Sequence, residues 1–496
     1  MKIIMKRLKT VLLILPALLF AMSCEDEFLD APPEFEINSE NFFNSEEDYD
    51  RALVATYDLL AAVGYLTTIT GEIASDNSEA GGESAIDVIG WQEINLMDHT
   101  PDNEQLRSIW NWNYAGINRA NYIFEFRDKT DFDGRIRVLA ETSFLRAFYY
   151  FQLVKWFGDV PMPIDQRVLF GESSSYPRVP IAEVYAQIET DLTFAVENLP
   201  EVQPQLGRAT RGAALALLGK VHLYQGEFTE AAENLQAVIN SGQYALFDDY
   251  STLFLNDNEN SIESVFEIQY TSVQGAGFDC LQCSEGNVMV GFNGIRGYDG
   301  PIYQGGFSFN VPVQELVDVF EDGDLRFRPT ILDIDQFISE QPNPSEITFV
   351  EGFDHTGYFQ NKYLPRLGES EMQDVNLTNR TNIRHIRFSD VLLMAAEALN
   401  RGQINDGQAL DYLNRVRDRA GLGELNVSGN ALTNAIYQER RVELAGEGHR
   451  FFDLVRTGRA ADEIEGFVTG KHEVFPIPLI EIELAGSVWP QNDNYN

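Results

Sequence analysis

The stretch from Ile436 to Gly458 constrains this chain more than any other, because it sets charges among large apolar side chains. Val442, Leu444 and Ala445 lie among Glu439, Arg440, Arg441 and Glu443, as on one helix with a charged flank. Gly446 and Gly448 end that helix, since glycine accepts the left-handed conformation that closes a helix. Phe451, Phe452, Leu454 and Val455 then open a second short apolar element, closed by Gly458. Glu439, Arg441, Glu447, His449, Arg450, Asp453 and Arg456 therefore sit beside groups that want to be buried. Buried charges must satisfy one another, so the stretch predicts an ion-pair network that locks two helices together, a structural role in preference to a catalytic one.

The same residues resemble the C-terminal signature of the SusD/RagB family, E-R-x-x-E-L-x-x-E-G-x-R-x-x-D-L-x-R-x-G. Glu439, Arg440, Glu443, Leu444, Glu447, Gly448, Arg450, Asp453, Leu454, Arg456 and Gly458 match it, and His449 fills a variable position. The segment N-I-R-H-I-R-F-S-D-V-L-L-M-A-A-E-A from Asn382, the Phe475-Pro476-Ile477-Pro478 tail, Gln491-Asn492 and Tyr495 extend the resemblance to the end of the chain. The resemblance implies a lipoprotein of the Bacteroidetes outer membrane that faces the cell exterior. It further implies binding of a nutrient polymer, most often an oligo- or polysaccharide, handed to a SusC-like TonB-dependent transporter. No enzymatic activity and no cofactor are implied.

Periodicity gives the fold class, mainly α. Ser45-Glu46-Glu47-Asp48 opens a helix with an N-cap and first-turn acids, continued by Tyr49, Leu53, Tyr57 and Leu60. Helical patterns recur over 106–124, 135–156 and 181–198. Over 209–239, Leu215, Leu218, Gly219, Ala231 and Leu235 occupy tetratricopeptide-like positions, where small residues let two antiparallel helices approach. Residues 389–419 carry a weaker copy, and the segments 135–198 and 46–62 with 106–124 are degenerate ones. Four such pairs predict a curved helical scaffold over about 45–240 and 382–465; unrelated hairpins are the alternative. Residues 64–104 read as irregular, because glycines interrupt the pattern. Residues 241–381, rich in Gly, Asn, Asp, Pro and aromatics, read as a loop-rich insertion with short strands and helices. Residues 45–496 would form one SusD-like domain.

The N-terminus reads as an export signal. Lys2, Lys6, Arg7 and Lys9 precede an apolar run, Val11 to Met22, too short to span a bilayer. Ala21-Met22-Ser23-Cys24 resembles a lipoprotein cleavage box, so residues 1–23 are the expected signal peptide and Cys24 the expected lipidation site. Residues 24–44 are the expected acidic tether, and acyl chains on Cys24 would supply the membrane anchor.

A formal net charge of -41 excludes nucleic acid as a natural partner. The six histidines show no metal-ligand spacing, and no nucleophile elbow, metalloprotease helix or P-loop occurs. With 77 acidic residues a glycosidase carboxylate pair has no single candidate, so a surface glycan hydrolase stays a rival reading, as do peptide binding and a plain scaffold. Asp, Asn and Gly in loops are hard-oxygen ligands that leave structural calcium a minor reading, without a full EF-hand pattern. Cys280 and Cys283 lack partners for a metal centre and read as one small disulfide stiffening a loop.

The binding residues are sought in loops. Between Gly291 and Phe309 stand Phe292, Asn293, Arg296, Tyr298, Tyr303, Phe307 and Phe309. Exposed aromatics offer flat faces to sugar rings, and amide, carboxylate and guanidinium groups bond hydroxyls. Trp91, with Asp76 and Asn77 nearby in sequence, has the same character. Packing under their own loops is the competing reading for each aromatic, above all for Phe307 and Phe309.

Overall fold

A computed structural model describes residues 42–369 and 376–495, apart from 274, 276 and 284. The expected signal peptide, the lipidation site Cys24 and nearly all of the tether lie outside the described residues. Phe43 is fully buried, its ring 4.8 Å from Tyr49, 4.8 Å from Tyr122 and 5.2 Å from Phe126, so the last residues of the expected tether lie against the packed body.

The frame is a run of helices, each packed on the next: α1 (Glu46–Ile73), α3 (Glu104–Glu125), α4 (Arg135–Phe157), α5 (Ile181–Asn198), α6 (Arg211–Gln225), α7 (Phe228–Asn240), α9 (Phe388–Arg401) and α10 (Asp406–Arg419). These are the four pairs expected from periodicity. At the start of α1, Ser45 Oγ accepts from the Asp48 amide while Asp48 Oδ2 accepts from the Ser45 amide, a reciprocal capping box. The repeat glycine acts as its position predicts: a Cβ on Gly219 of α6 would lie 2.5 Å from Leu235 Cγ of α7. Buried polar pairs fix the pairing further; Arg146 of α4 forks onto both carboxylate oxygens of Asp191 of α5 at 2.8 Å each.

Residues 64–104 are not irregular throughout. α1 continues through Gly64 and Gly71 to Ile73, and a short helix α2 covers Ile89–Asn95. The two glycines serve close approach rather than turning: a Cβ on Gly64 would lie 2.6 Å from Ile268 Cδ1, and one on Gly71 2.7 Å from the Gly448 carbonyl oxygen. α1 is long and apolar enough to cross a membrane, yet its most apolar 18-residue window is 72% buried in the body, as a core helix is.

The insertion contributes short antiparallel ribbons. Strand β2 (Ser264–Ile268) pairs with β4 (Ile383–Arg387) at the return to the frame. Strand β1 (Ser78–Ala80) pairs with β3 (Asn310–Pro312), and the Gly81 amide donates to the Phe309 carbonyl at 3.1 Å. This ribbon brings together two loops more than 200 residues apart in sequence.

Helices α11 (Gly429–Glu443) and α12 (Arg450–Arg456) carry the charged stretch, with Gly446 at φ +82° and Gly448 at φ +77° between them. Their charges are buried and paired. Arg440 joins α11 to α12 through Asp453 at 2.9 Å and reaches Asp390 at 2.7 Å. Arg456 binds Glu397 at 2.6 Å. Glu443 accepts from Arg326, Arg387 and Arg419 at 3.0, 2.8 and 2.6 Å, and Glu447 from Lys362 and Arg387 at 2.7 Å each. The network thus ties the frame and the insertion together as well as the two helices. Burial raises the Glu443 carboxyl, but the surrounding Arg419, Arg387, Arg326 and Lys362 outweigh it and hold the group well below the usual range. Burial and the Lys220 ammonium keep His449 neutral, so its Nδ1 accepts from Lys220 Nζ at 3.2 Å.

Candidate functional site

The β1–β3 ribbon sets Trp91 of α2 against Phe292 of helix α8 (Val288–Asn293) and against Phe309, which immediately precedes β3. The result is an open groove of about 420 Å³ with an aromatic floor. Trp91, Phe292 and Phe309 form that floor. Trp91 is only 4% exposed; its ring lies 5.6 Å from Phe292 and 5.5 Å from Phe309, and its indole N–H donates to Thr70 Oγ1 at 3.1 Å. Phe307 lies parallel to Phe309, with centroids 5.5 Å apart and an interplanar angle of 12°, and is half-buried. Phe278 meets Phe307 edge to face at 5.3 Å and is 59% exposed, so it forms the lip. From floor to lip, the aromatic series passes from core into solvent.

The opposite wall is polar. Arg296 Nη2 donates to Asp87 Oδ2 at 3.2 Å and to the Phe307 carbonyl at 2.9 Å, while its Nη1 lies 3.9 Å from Glu83 Oε2. Among the described residues the buried Nε of Arg296 has no hydrogen-bond partner. Asp87 and Glu83 are solvent-facing, and Gln105 and Tyr65 complete the polar lining. Burial pushes the Tyr65 phenol up to about 12, so it stays a neutral group throughout the physiological range. A groove with flat apolar rings on one side and a guanidinium–carboxylate pair on the other can stack a ring-shaped polyol and bond its hydroxyls.

Comparison with known proteins decides the family. The chain aligns at 36% identity with a solved "Laminarin binding SusD-like protein", over 91% of this chain and 100% of that one, with a TM-score of 0.82. The chain belongs to the SusD family. The SusD family model matches residues 262–475, and a second model, described as "Starch-binding associating with outer membrane", matches residues 27–223. SusD-like protein P2 of Formosa agariphila is 29% identical over 99% of this chain and 100% of its own length. Surface glycan-binding protein A from Bacteroides thetaiotaomicron, solved in complex with laminarihexaose, is 27% identical, with a TM-score of 0.81 over 90% of this chain and 99% of that one.

Within this SusD-family structure the residues singled out from sequence part company. Trp91, Phe292 and Arg296 line the groove together. Trp91 and Phe292 do so as its floor and not as exposed platforms, because each is packed under its loop. Asp76 and Asn77 are corrected. Asp76 is held by Arg450 at 2.7 Å and Arg441 at 3.0 Å, and Asn77, fully buried, accepts from Arg441 Nε at 3.0 Å; both belong to the signature network. Asn293 is corrected too, since it is buried between the Tyr363 carbonyl and Asn310. Tyr298 and Tyr303 are corrected because they build a small separate core with Ile295, Leu332, Phe359 and Leu364. Their hydroxyls are spent on the Pro301 carbonyl at 2.8 Å and on Asn361 at 3.2 Å.

Cys280 is disulfide-bonded and sits at a kink in the short stretch Phe278–Cys283, while the Cys283 side chain lies outside what the structure describes. This segment delivers Phe278 and Leu281 to the groove. Sequence reading passed over Phe278, although a large apolar residue following Gly277 and close to a cysteine is a signal for an anchored, exposed ring. Asp87 and Glu83 carried no such signal in a chain this acidic.

Proposed function

We propose that this chain binds an oligo- or polysaccharide at the cell surface, in the groove between Phe278–Phe307 and Arg296–Asp87, and passes it to a SusC-like TonB-dependent transporter. The observation that carries the reading is the aromatic series that surfaces at Phe278 opposite the guanidinium–carboxylate pair. Phe278 and Phe307 would take the C–H faces of a sugar ring, and Asp87, Glu83 and Arg296 its hydroxyls. Anchoring through lipid on Cys24 would hold the groove at the outer surface. Because relatives are named for laminarin and laminarihexaose, a laminarin-type glucan is the first ligand to try.

The test is affinity electrophoresis of a soluble form lacking residues 1–24, against laminarin and a panel of neutral and anionic polysaccharides. Retardation by one polymer without shortening of it, lost in Phe278→Ala, is the expected result. Cleavage would transfer the reading to a hydrolase. Absence of retardation by the whole panel would transfer it to peptide binding or scaffolding. Co-purification with the barrel tests delivery separately.

A further inference from the structure

We propose that the chain carries a binding site for a divalent transition metal of the zinc class, remote from the groove, formed by Glu189, His222 and Glu227. Three elements of the helical frame converge there. Glu189 lies on α5, His222 in the last turn of α6, and Glu227 at the cap of α7. One ligand atom from each lies within 4.8 Å of the others. His222 Nδ1 is 2.6 Å from Glu227 Oε2, and Gln225 Nε2 donates to Glu189 Oε1 at 2.7 Å, orienting that carboxylate from outside the trio.

Two features favour a cation over a plain hydrogen-bonded cluster. First, two carboxylates converge where, among the described residues, neither has an arginine or lysine at ion-pair distance; the one basic group present is an imidazole. Second, the donors are one nitrogen and two carboxylates, which suits zinc better than calcium, an ion that takes six or more oxygens. Ligands about 2.0–2.2 Å from a tetrahedral zinc stand roughly 3.3 Å apart, so small side-chain shifts complete the tripod. Gln225 then acts as the outer hydrogen bond that fixes a ligand carboxylate. A fourth position stays open to water beside Glu227, the exposed member of the trio. The metal would clamp α5 to the α6–α7 turn.

The test is titration of the purified mature chain with Zn2+, by calorimetry and by thermal denaturation, beside Glu189→Gln, His222→Gln and a distant control, His355→Gln. Glu189→Gln removes a ligand while leaving the His222–Glu227 contact in place, so its metal-free melting temperature should match the parent. One equivalent of Zn2+ bound by parent and control, a rise in melting temperature with metal, and affinity at least tenfold weaker in both site variants are expected. No saturable binding by the parent, equal affinity in the site variants, or Ca2+ competing at equal concentration would each overturn the assignment.

Discussion

Arg387 forks onto Glu447, with Nε at 2.8 Å from one carboxylate oxygen and Nη2 at 2.7 Å from the other, and both side chains are almost wholly excluded from water. The same guanidinium reaches Glu263 at 2.6 Å and Glu443 at 2.8 Å. One cation at the end of β4 thus bridges three carboxylates from the insertion and the signature. Arg387→Met would leave those acids short of a partner in the interior. A loss of about 3–5 kcal/mol is expected, the usual cost of breaking a buried pair from one side, read as a lowered midpoint in guanidinium melts.

Gly448 allows α1 and the signature turn to touch. Its φ of +77° is left-handed, and a Cβ there would lie 2.8 Å from Thr68 Cα, which is backbone and cannot swing aside. Gly448→Ala therefore meets both strain and overpacking and should cost about 1–3 kcal/mol from the overpacking alone. Gly242→Ala, at φ +69° but facing open space, pays only the conformational cost of about 1–2 kcal/mol. Denaturant melts of the two variants should separate them in that order.

Phe278 and Tyr298 offer opposite outcomes from the same truncation. Phe278→Ala removes an exposed ring, so stability should move by no more than about 0.5 kcal/mol while glycan affinity falls roughly tenfold or more. Tyr298→Ala opens a cavity in the small second core and should cost about 3–5 kcal/mol, with affinity of the folded fraction unchanged. Paired melts and affinity gels read both quantities. Normal binding by Phe278→Ala would remove the lip from the site.

His99 makes stability fall on the acid side. Burial first, then the neighbouring His472 and Lys471 charges, lowers its pKa from 6.5 to about 3, and its Nε2 is hydrogen-bonded to the Tyr495 hydroxyl at 2.8 Å. Between pH 6.5 and about 3 the unfolded chain takes up a proton at this ring that the folded chain refuses. Stability is therefore lost as pH falls through that window, by up to about 1.4 kcal/mol per pH unit. Glu72, raised by burial to about 7, works in the opposite sense between pH 7 and 4.5. Comparing His99→Phe with the parent cancels the Glu72 contribution, and thermal melts from pH 7 to 4 should show a flatter acid limb in the variant.

The local elements were legible in the sequence because their causes are local. The capping box at Ser45–Asp48, the repeat glycine at 219 and the left-handed glycines 446 and 448 act within a few residues or one helix pair. The charged stretch was legible too, since charges among Phe451, Phe452 and Leu454 have no stable fate except pairing. Its partners were not: Arg326, Lys362 and Arg387 come from far along the chain and look like ordinary surface charges there. Gly64 and Gly71 read as helix breakers because a sequence cannot reveal what stands 2.6 or 2.7 Å from a missing Cβ. The site divides along the same line. The amino-acid sequence determined that aromatic-rich loops stand on a helical frame, but an aromatic residue packs or stacks equally well by composition. Only the β1–β3 pairing, by setting Trp91 under Phe309 and leaving Phe278 at the rim, decided which rings became core and which met solvent.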